Sequence, residues 1–595
     1  MQPTVLAGSP ASIDPERVSL ARRSLMGAVL LGVLADALLR EGPWALGLFA
    51  WMLCFAGSVV ALAWHRGEGM TREQRAWLGT AVSLSACLAW RDTGELEFFD
   101  FAAMLLALAL LAGTMSQASP VRSLLGTRVR DIVHVMARAA ADVMVAVVPL
   151  ILSDSALGAA RQRLAGGRSR AAIRAALVTI PLLLLFGALL TEADPVFGSL
   201  FKLPEIDFGI VASHIVIAGL FTWIVGGWLR GAVVDDRPRT RLPDGLPFTV
   251  GRLEVTTALG ALNILFAAFV AVQIGWLFGG ERLVRSTTGL GYAQYARRGF
   301  FELVWVSLLV LPVLLGSRAA IAPSDAAAIR RHRVLALPLL GLLGGIMASA
   351  LGRMSLYVHY YGLTTDRLFA TVFMGWLAIV FAWLAVTVLR NGGRANTERT
   401  SAHGERDAFA AGATITGFLT LAALNLLNPD ALIARVNIGR AHTAVALADS
   451  VRADSGAAPR ANESVRSPID YAYLTRLGGE AVPQVVEALL RPPVSTPGTP
   501  VREAEMRSRC DAVRSLLLGW NDASRLKQGM TNDRAHDWRL WNYGAARARD
   551  VVQKRESELR QVTCLDEGGE TPFGNREIQP RKIGTAEARL GTERD

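Results

Sequence analysis

Lysine is nearly missing from this 595-residue chain: of its 62 basic residues only four, at positions 202, 527, 554 and 582, are Lys. Cysteine is equally sparse, with four residues at 54, 87, 510 and 564, and no close ligand spacing among them, which argues against a zinc or cluster site. There is no HExxH, no GxSxG, no nucleotide-binding loop and no acidic pair of recognisable spacing, so the common hydrolase and ATPase signatures are excluded. Charge of either sign is also scarce, at 19% of residues, and is almost absent from long stretches between about residues 24 and 427.

What fills those stretches is Ala, Leu and Val. Hydrophobic residues make up 52% of the chain and the mean hydropathy is +0.33, the composition of an integral membrane protein. The net charge of +11 is carried by Arg, whose stems lie along apolar surface while the guanidinium reaches the headgroups. Membrane lipids are therefore the partners this charge implies, and nucleic acid is not. Residues 1–23 are polar, with Arg17, Arg22 and Arg23 and no cleavage site of the usual kind, and read as a cytoplasmic N-terminal segment.

Runs of about 20 apolar residues match a bilayer core. Eleven such runs are predicted, at 24–40, 44–64, 77–91, 98–117, 171–191, 208–230, 256–278, 300–316, 334–352, 368–389 and 408–427. The expected fold is all-α, a polytopic membrane domain over 24–429 with a small C-terminal helical soluble domain. Basic loops at 66–75, 161–174, 330–333 and 390–399 predict the cytoplasmic side, and the acidic turns 92–97 and 192–207 the opposite one. Residues 131–152 carry Asp131, His134, Arg138 and Asp142 between basic flanks, and read as an amphipathic or re-entrant helix. If they span instead, the C-terminal region moves inside.

Residues 430–565 read as helical and soluble, with a Gly-Gly turn at 478–479, a Pro-rich linker at 491–500, and Trp538, Trp541 and Tyr543 on a packing surface. Residues 566–595 have the composition of a disordered tail. An extracytoplasmic location would allow a disulfide between Cys510 and Cys564 and an envelope protein as partner. No cofactor and no metal is implied.

Four clusters carry the polar residues that a membrane helix tolerates only for a reason. Arg252, Glu254, Asn263 and Gln273 lie along one span, the last two about three turns apart on one face. Tyr295, Arg297, Arg298 and Glu302 enter the next, with Arg298 and Glu302 spaced to pair. Arg353, Tyr357, Tyr361, Thr364 and Arg367 crowd a short connection. Asn425, Asn428, Asp430, Arg435 and Asn437 mark the exit of the last span, where Pro429 should break the helix. With eleven spans the last three clusters share the outer face, as an anion-recognising pocket or as a seat for the soluble domain.

The blocks "FTVGRLEVTTALGALNILFAAFVAVQ", "GYAQYARRGFFELV", "LGRMSLYVHYYGLTTDRL" and "LNLLNPDALIARVNIGRA", with "TEADPVF" at 191–197, resemble a bacterial multi-pass membrane family known as a domain of unknown function, number 4173. That resemblance covers roughly residues 180–480 and implies a membrane location without an activity or a catalytic residue. The functions that remain are a binding, transport-related or signalling component of the plasma membrane and cell envelope; a membrane enzyme on a lipid-linked or anionic substrate, with Asp194 or Glu302 as base; and an envelope scaffold.

Overall fold

The computed structural model describes residues 15–151, 208–235, 250–288, 300–390, 408–455, 469–495, 500–520 and 537–562, apart from a few positions between helices. Every regular element among the described residues is helical. In chain order the longer helices are α1 (Pro15–Leu39), α2 (Leu46–His65), α3 (Arg72–Trp90), α4 (Gly94–Met115), α5 (Val129–Val145), α6 (Phe208–Leu229, continued by a π turn Arg230–Val234), α7 (Arg252–Thr288), α8 (Phe300–Ala320), α9 (Ala326–Tyr361), α10 (Thr365–Arg390), α11 (Ala408–Leu427) and α12 (Pro429–Ser455). Then follow α13 (Tyr471–Leu474), α14 (Val482–Leu490), α15 (Pro500–Trp520), α16 (Tyr543–Lys554) and α17 (Glu556–Arg560).

Nine of the described helices are long and apolar enough to cross a membrane: α1, α2, α4, and α6 to α11. The chain is an all-α polytopic membrane protein. Among the eleven runs expected, 77–91 lies within helix α3, which is not among the nine, because Arg72, Glu73 and Arg75 occupy its first turn. The run 171–191 and the motif 191–197 lie outside the described residues, as do residues 1–14 and the tail from 563. The segment 131–152 forms the 17-residue α5, broken at Ala146 before a short turn Val147–Pro149. Arg138 of α5 is 2.6 Å from Asp235 and 3.7 Å from Asp142, so its charge is met by carboxylates on α5 and after α6.

The chain divides into two compact units. The first comprises residues 1–433 together with 478–480 and 531–546; the second comprises 434–477, 481–530 and 547–595. Within the first unit the described apolar side chains form two large cores, one from α1 to α4, α6 and α11, the other from α7 to α10 with Phe409, and a small cluster of Ala21, Leu150 and Val234. Lipid offers no hydrophobic drive between helices, so close packing must come from small residues. Helix α1 buries Ala21, Ser24, Ala28, Gly32 and Ala35 at helical spacing. At Gly32 a Cβ would stand 2.5 Å from the Ala218 carbonyl, so α1 and α6 pack there with backbone against backbone. Large apolar side chains on the opposite faces, among them Leu30, Ile215, Ile264 and Leu419, are exposed, which a hydrocarbon solvent tolerates and water does not.

The second unit has its own core, built on Tyr471, Val485, Leu489, Val513, Leu516 and Val552. Glu505 is buried there and accepts the N–H groups of Val494 and Ser495, at 2.9 Å each. Cys510 is disulfide-bonded, Cys54 and Cys87 are free, and Cys564 lies outside the described residues.

Candidate functional site, a buried acidic junction

The turn between α3 and α4 is three residues long. Arg91 takes an extended conformation that ends α3, and Thr93 is extended ahead of Gly94. A Thr at that position ordinarily caps the following helix through its hydroxyl. Thr93 does not: its hydroxyl makes no cap and lies 3.0 Å from Asp430 Oδ2 and 3.3 Å from Glu480 Oε2.

Asp430 is delivered by a second break. Asn428 adopts φ 55°, the left-handed conformation that Asn accepts more readily than most residues, and the α conformation is disfavoured before Pro429. The Asn428 side chain then accepts the Ala431 N–H at 3.2 Å, capping α12 and placing Asp430 in its first turn. Three further segments close around the turn. Gly478 donates its N–H to Asp430 Oδ2 at 2.9 Å, and Gly479 donates to Asp92 Oδ2 at 2.8 Å. The Asp92 N–H donates to Glu480 Oε2 at 3.0 Å, while Arg91 stands 3.5 Å from Glu480 Oε1 and over the Trp90 ring at 3.9 Å. Asn542 donates to the carbonyls of Leu88, at 3.1 Å, and Arg91, at 2.5 Å. Gly478 and Gly479 are required here by closeness: a Cβ on Gly478 would lie 1.7 Å from the Asp92 carbonyl, and one on Gly479 2.8 Å from the Gly544 carbonyl.

Asp430 is 2% exposed and Glu480 is 6% exposed. A single hydroxyl hydrogen serves two carboxylate oxygens, so with both groups ionised one oxygen would face the Thr93 lone pairs. One added proton removes that conflict, since a protonated carboxyl donates to Thr93 while Thr93 donates to the other. The electrostatics run the same way. Burial pushes Asp430 up to about 6, with Glu95 and Asp92 adding repulsion and the Thr93 and Gly478 donors opposing it. Burial pushes Glu480 up to about 7, opposed by the Asp92 N–H and Arg91 and assisted by the charges of Asp92 and Asp430. The junction can therefore take up or release a proton close to neutral pH. Among the described residues no group of three or more His, Cys, Asp or Glu is arranged to hold a metal ion.

Of the residues singled out in the sequence, Asn425, Asn428 and Asp430 lie at or beside this junction. Asn425 donates to Asp100 Oδ1 at 2.8 Å. Arg435 and Asn437 belong to the second unit, where Arg435 lines a cavity of about 220 Å³ with His442, Gln484, Glu487 and Arg491. Asn263 and Gln273 both face α9: Asn263 donates to the Leu335 carbonyl at 2.9 Å, and Gln273 accepts from Ser349 at 3.1 Å and Arg353 at 2.5 Å. Arg367 stacks on Tyr357 at 4.0 Å and donates to the Gly362 carbonyl, Tyr357 meets Tyr361 edge-on at 5.0 Å, and the Thr364 carbonyl accepts the first turn of α10. Arg252, Glu254 and Glu302 are exposed, and Tyr295, Arg297 and Arg298 lie outside the described residues.

Sequence reasoning passed over Thr93, Glu480 and Asn542. Asp92 served only as an acidic turn marker, and Gly478-Gly479 only as a turn, although two glycines before a lone Glu are also the signature of a backbone pressed against something. Around Asn542 the flanking Trp538, Trp541 and Tyr543 are exposed, and the Asn is the buried residue. A second polar pair was also missed, Asp36 of α1 with His214 of α6 at 2.5 Å, where Asp36 also meets Arg40 at 2.9 Å.

A family model described as "Domain of unknown function (DUF4153)" matches residues 78–488, a span that holds every junction residue except Asn542. It is a domain of unknown function as the resemblance implied, but number 4153 and not 4173. No curated protein and no solved structure matches the chain.

Proposed function

Starting from the fact that the chain belongs to the DUF4153 family, we propose that it is a signalling or binding component of the bacterial plasma membrane and cell envelope, gated by protons at the acidic junction. The observation that carries this reading is the Thr93 hydroxyl placed between Asp430 and Glu480, 3.0 and 3.3 Å away. With one proton bound, segment 478–480 is held on the α3–α4 turn; with that proton gone, two buried carboxylates repel across one hydroxyl and the segment is released. The gate responds close to neutral pH, because burial raises both carboxyls, Asp430 to about 6 and Glu480 to about 7. The region beyond residue 430 is taken to face outward, a placement supported by the disulfide at Cys510, since oxidising compartments are where such bonds persist.

Limited proteolysis of the full chain in lipid nanodiscs tests the gate. Cleavage close to residues 478–480 should be slow in acid and fast in mild alkali, after correction for the protease's own pH profile. Equal cleavage across that range would remove the reading.

A further inference from the structure

A second acidic group lies deeper, inside a membrane-spanning helix, and is not used by the junction. Asp100 of α4 is 0% exposed, and Asn425 of α11 is 2% exposed. Asn425 Nδ2 donates to Asp100 Oδ1 at 2.8 Å and to the Leu421 carbonyl at 3.1 Å. Turning the amide over would set its oxygen against two acceptors, so the orientation is fixed by its partners. Two atoms are then left over: among the described residues neither Asp100 Oδ2 nor Asn425 Oδ1 has a hydrogen-bond partner. Both are acceptors when Asp100 is ionised, and a buried acceptor without a donor is costly.

The charged and titratable groups facing Asp100 are few. Glu97 precedes it on α4, Cys87 comes from α3 and Arg91 from the turn that follows α3. Arg91 forms its ion pair with Glu480, and among the described residues no cationic nitrogen lies within ion-pair distance of Asp100. An unpaired carboxylate in such surroundings is the least favourable state open to it.

We infer that Asp100 is a proton-binding site, held in its acid form by Asn425. A hydrogen on Oδ2 satisfies both leftover atoms at once, converting a single hydrogen bond into a reciprocal acid–amide pair. The ligand is a proton, and what it fastens is α4 to α11, so loss of the proton loosens that helix pair. The hydrogen bonds this inference rests on involve neither Thr93 nor Glu480, and its one link to the junction is the Arg91 charge.

Infrared difference spectroscopy of the full chain in nanodiscs at neutral pH tests it, comparing wild type with Asp100→Asn. The difference should contain a protonated-carboxyl carbonyl band that shifts in D₂O. Asn425→Leu, with Asp100 intact, should move that band to the higher frequency of a free acid group. The same comparison repeated in a Thr93→Val background should give the same band, which separates this site from the junction. Asp100→Asn should melt no lower than wild type, because an amide at position 100 can supply the missing donor. A carboxylate band in place of the acid band would overturn the inference. So would an acid band that disappears on titration with sodium chloride, which would make the ligand a monovalent metal cation.

Discussion

Glu480→Gln offers the most direct measurement of the junction. Hydrogen exchange at the Gly478 and Gly479 amides reports its opening, because both N–H groups are tied to carboxylates of the closed state. Opening returns Glu480 to water and to its ordinary value. The closed state thus binds a proton more tightly than the open one, so its stability is fully present below 4.5 and is lost as pH rises through about 7. A rise from 4.5 to about 7 corresponds to about 3 kcal/mol. The opening constant, corrected for intrinsic exchange, should therefore grow by about two orders of magnitude across that window. Glu480→Gln keeps the shape and the acceptor for the Asp92 N–H but cannot titrate. It should flatten most of this dependence, leaving the smaller contribution of Asp430, and should exchange more slowly than wild type in mild alkali. An opening constant independent of pH in wild type, or the same slope in Glu480→Gln, would refute the reasoning.

Gly478→Ala should open the junction at every pH, with a cost of about 1–3 kcal/mol from forcing a methyl group into the Asp92 backbone; exchange at Gly479 would reveal it, and an unchanged rate would show that the close approach is not real. Asn428→Val should lower the melting temperature, because a β-branched residue at φ 55° costs about 1–2 kcal/mol and the α12 cap is lost as well, whereas Asn428→Gly should recover the backbone part. Asn263→Leu should change stability by only about 0.6 kcal/mol, the typical worth of a hydrogen bond between membrane helices, and a much larger loss would point to a role beyond packing. Reporter fusions after residues 480 and 590 should be active only with the periplasmic reporter, while activity of the cytoplasmic one would place the tail inside.

The membrane architecture was largely legible in the sequence, because a 20-residue apolar run has few alternatives to a spanning helix. The run at α3 is the instructive exception: periodicity gives a helix, but its charged first turn keeps it out of the most apolar set. Half of the junction was equally visible. Asn428-Pro429 announces a helix break, and polar residues at a span exit invite attention. The other half was not, since Glu480 meets Asp92 across 388 positions and no local pattern encodes a partner so distant. Thr93 was hidden for a different reason, its position resembling an ordinary cap whose hydroxyl is used elsewhere.

The first unit takes residues from three separate stretches, the last of them 531–546. Since a chain leaves the ribosome from its N-terminus, the bundle that starts at α1 cannot be finished until Asn542 has emerged. Throughout translation of the intervening hundred or so residues, Arg91, Asp92 and Thr93 wait without the groups that later enclose them. A premature stop anywhere before residue 542 would thus leave that turn without the Asn542 amide that ties the Leu88 and Arg91 carbonyls.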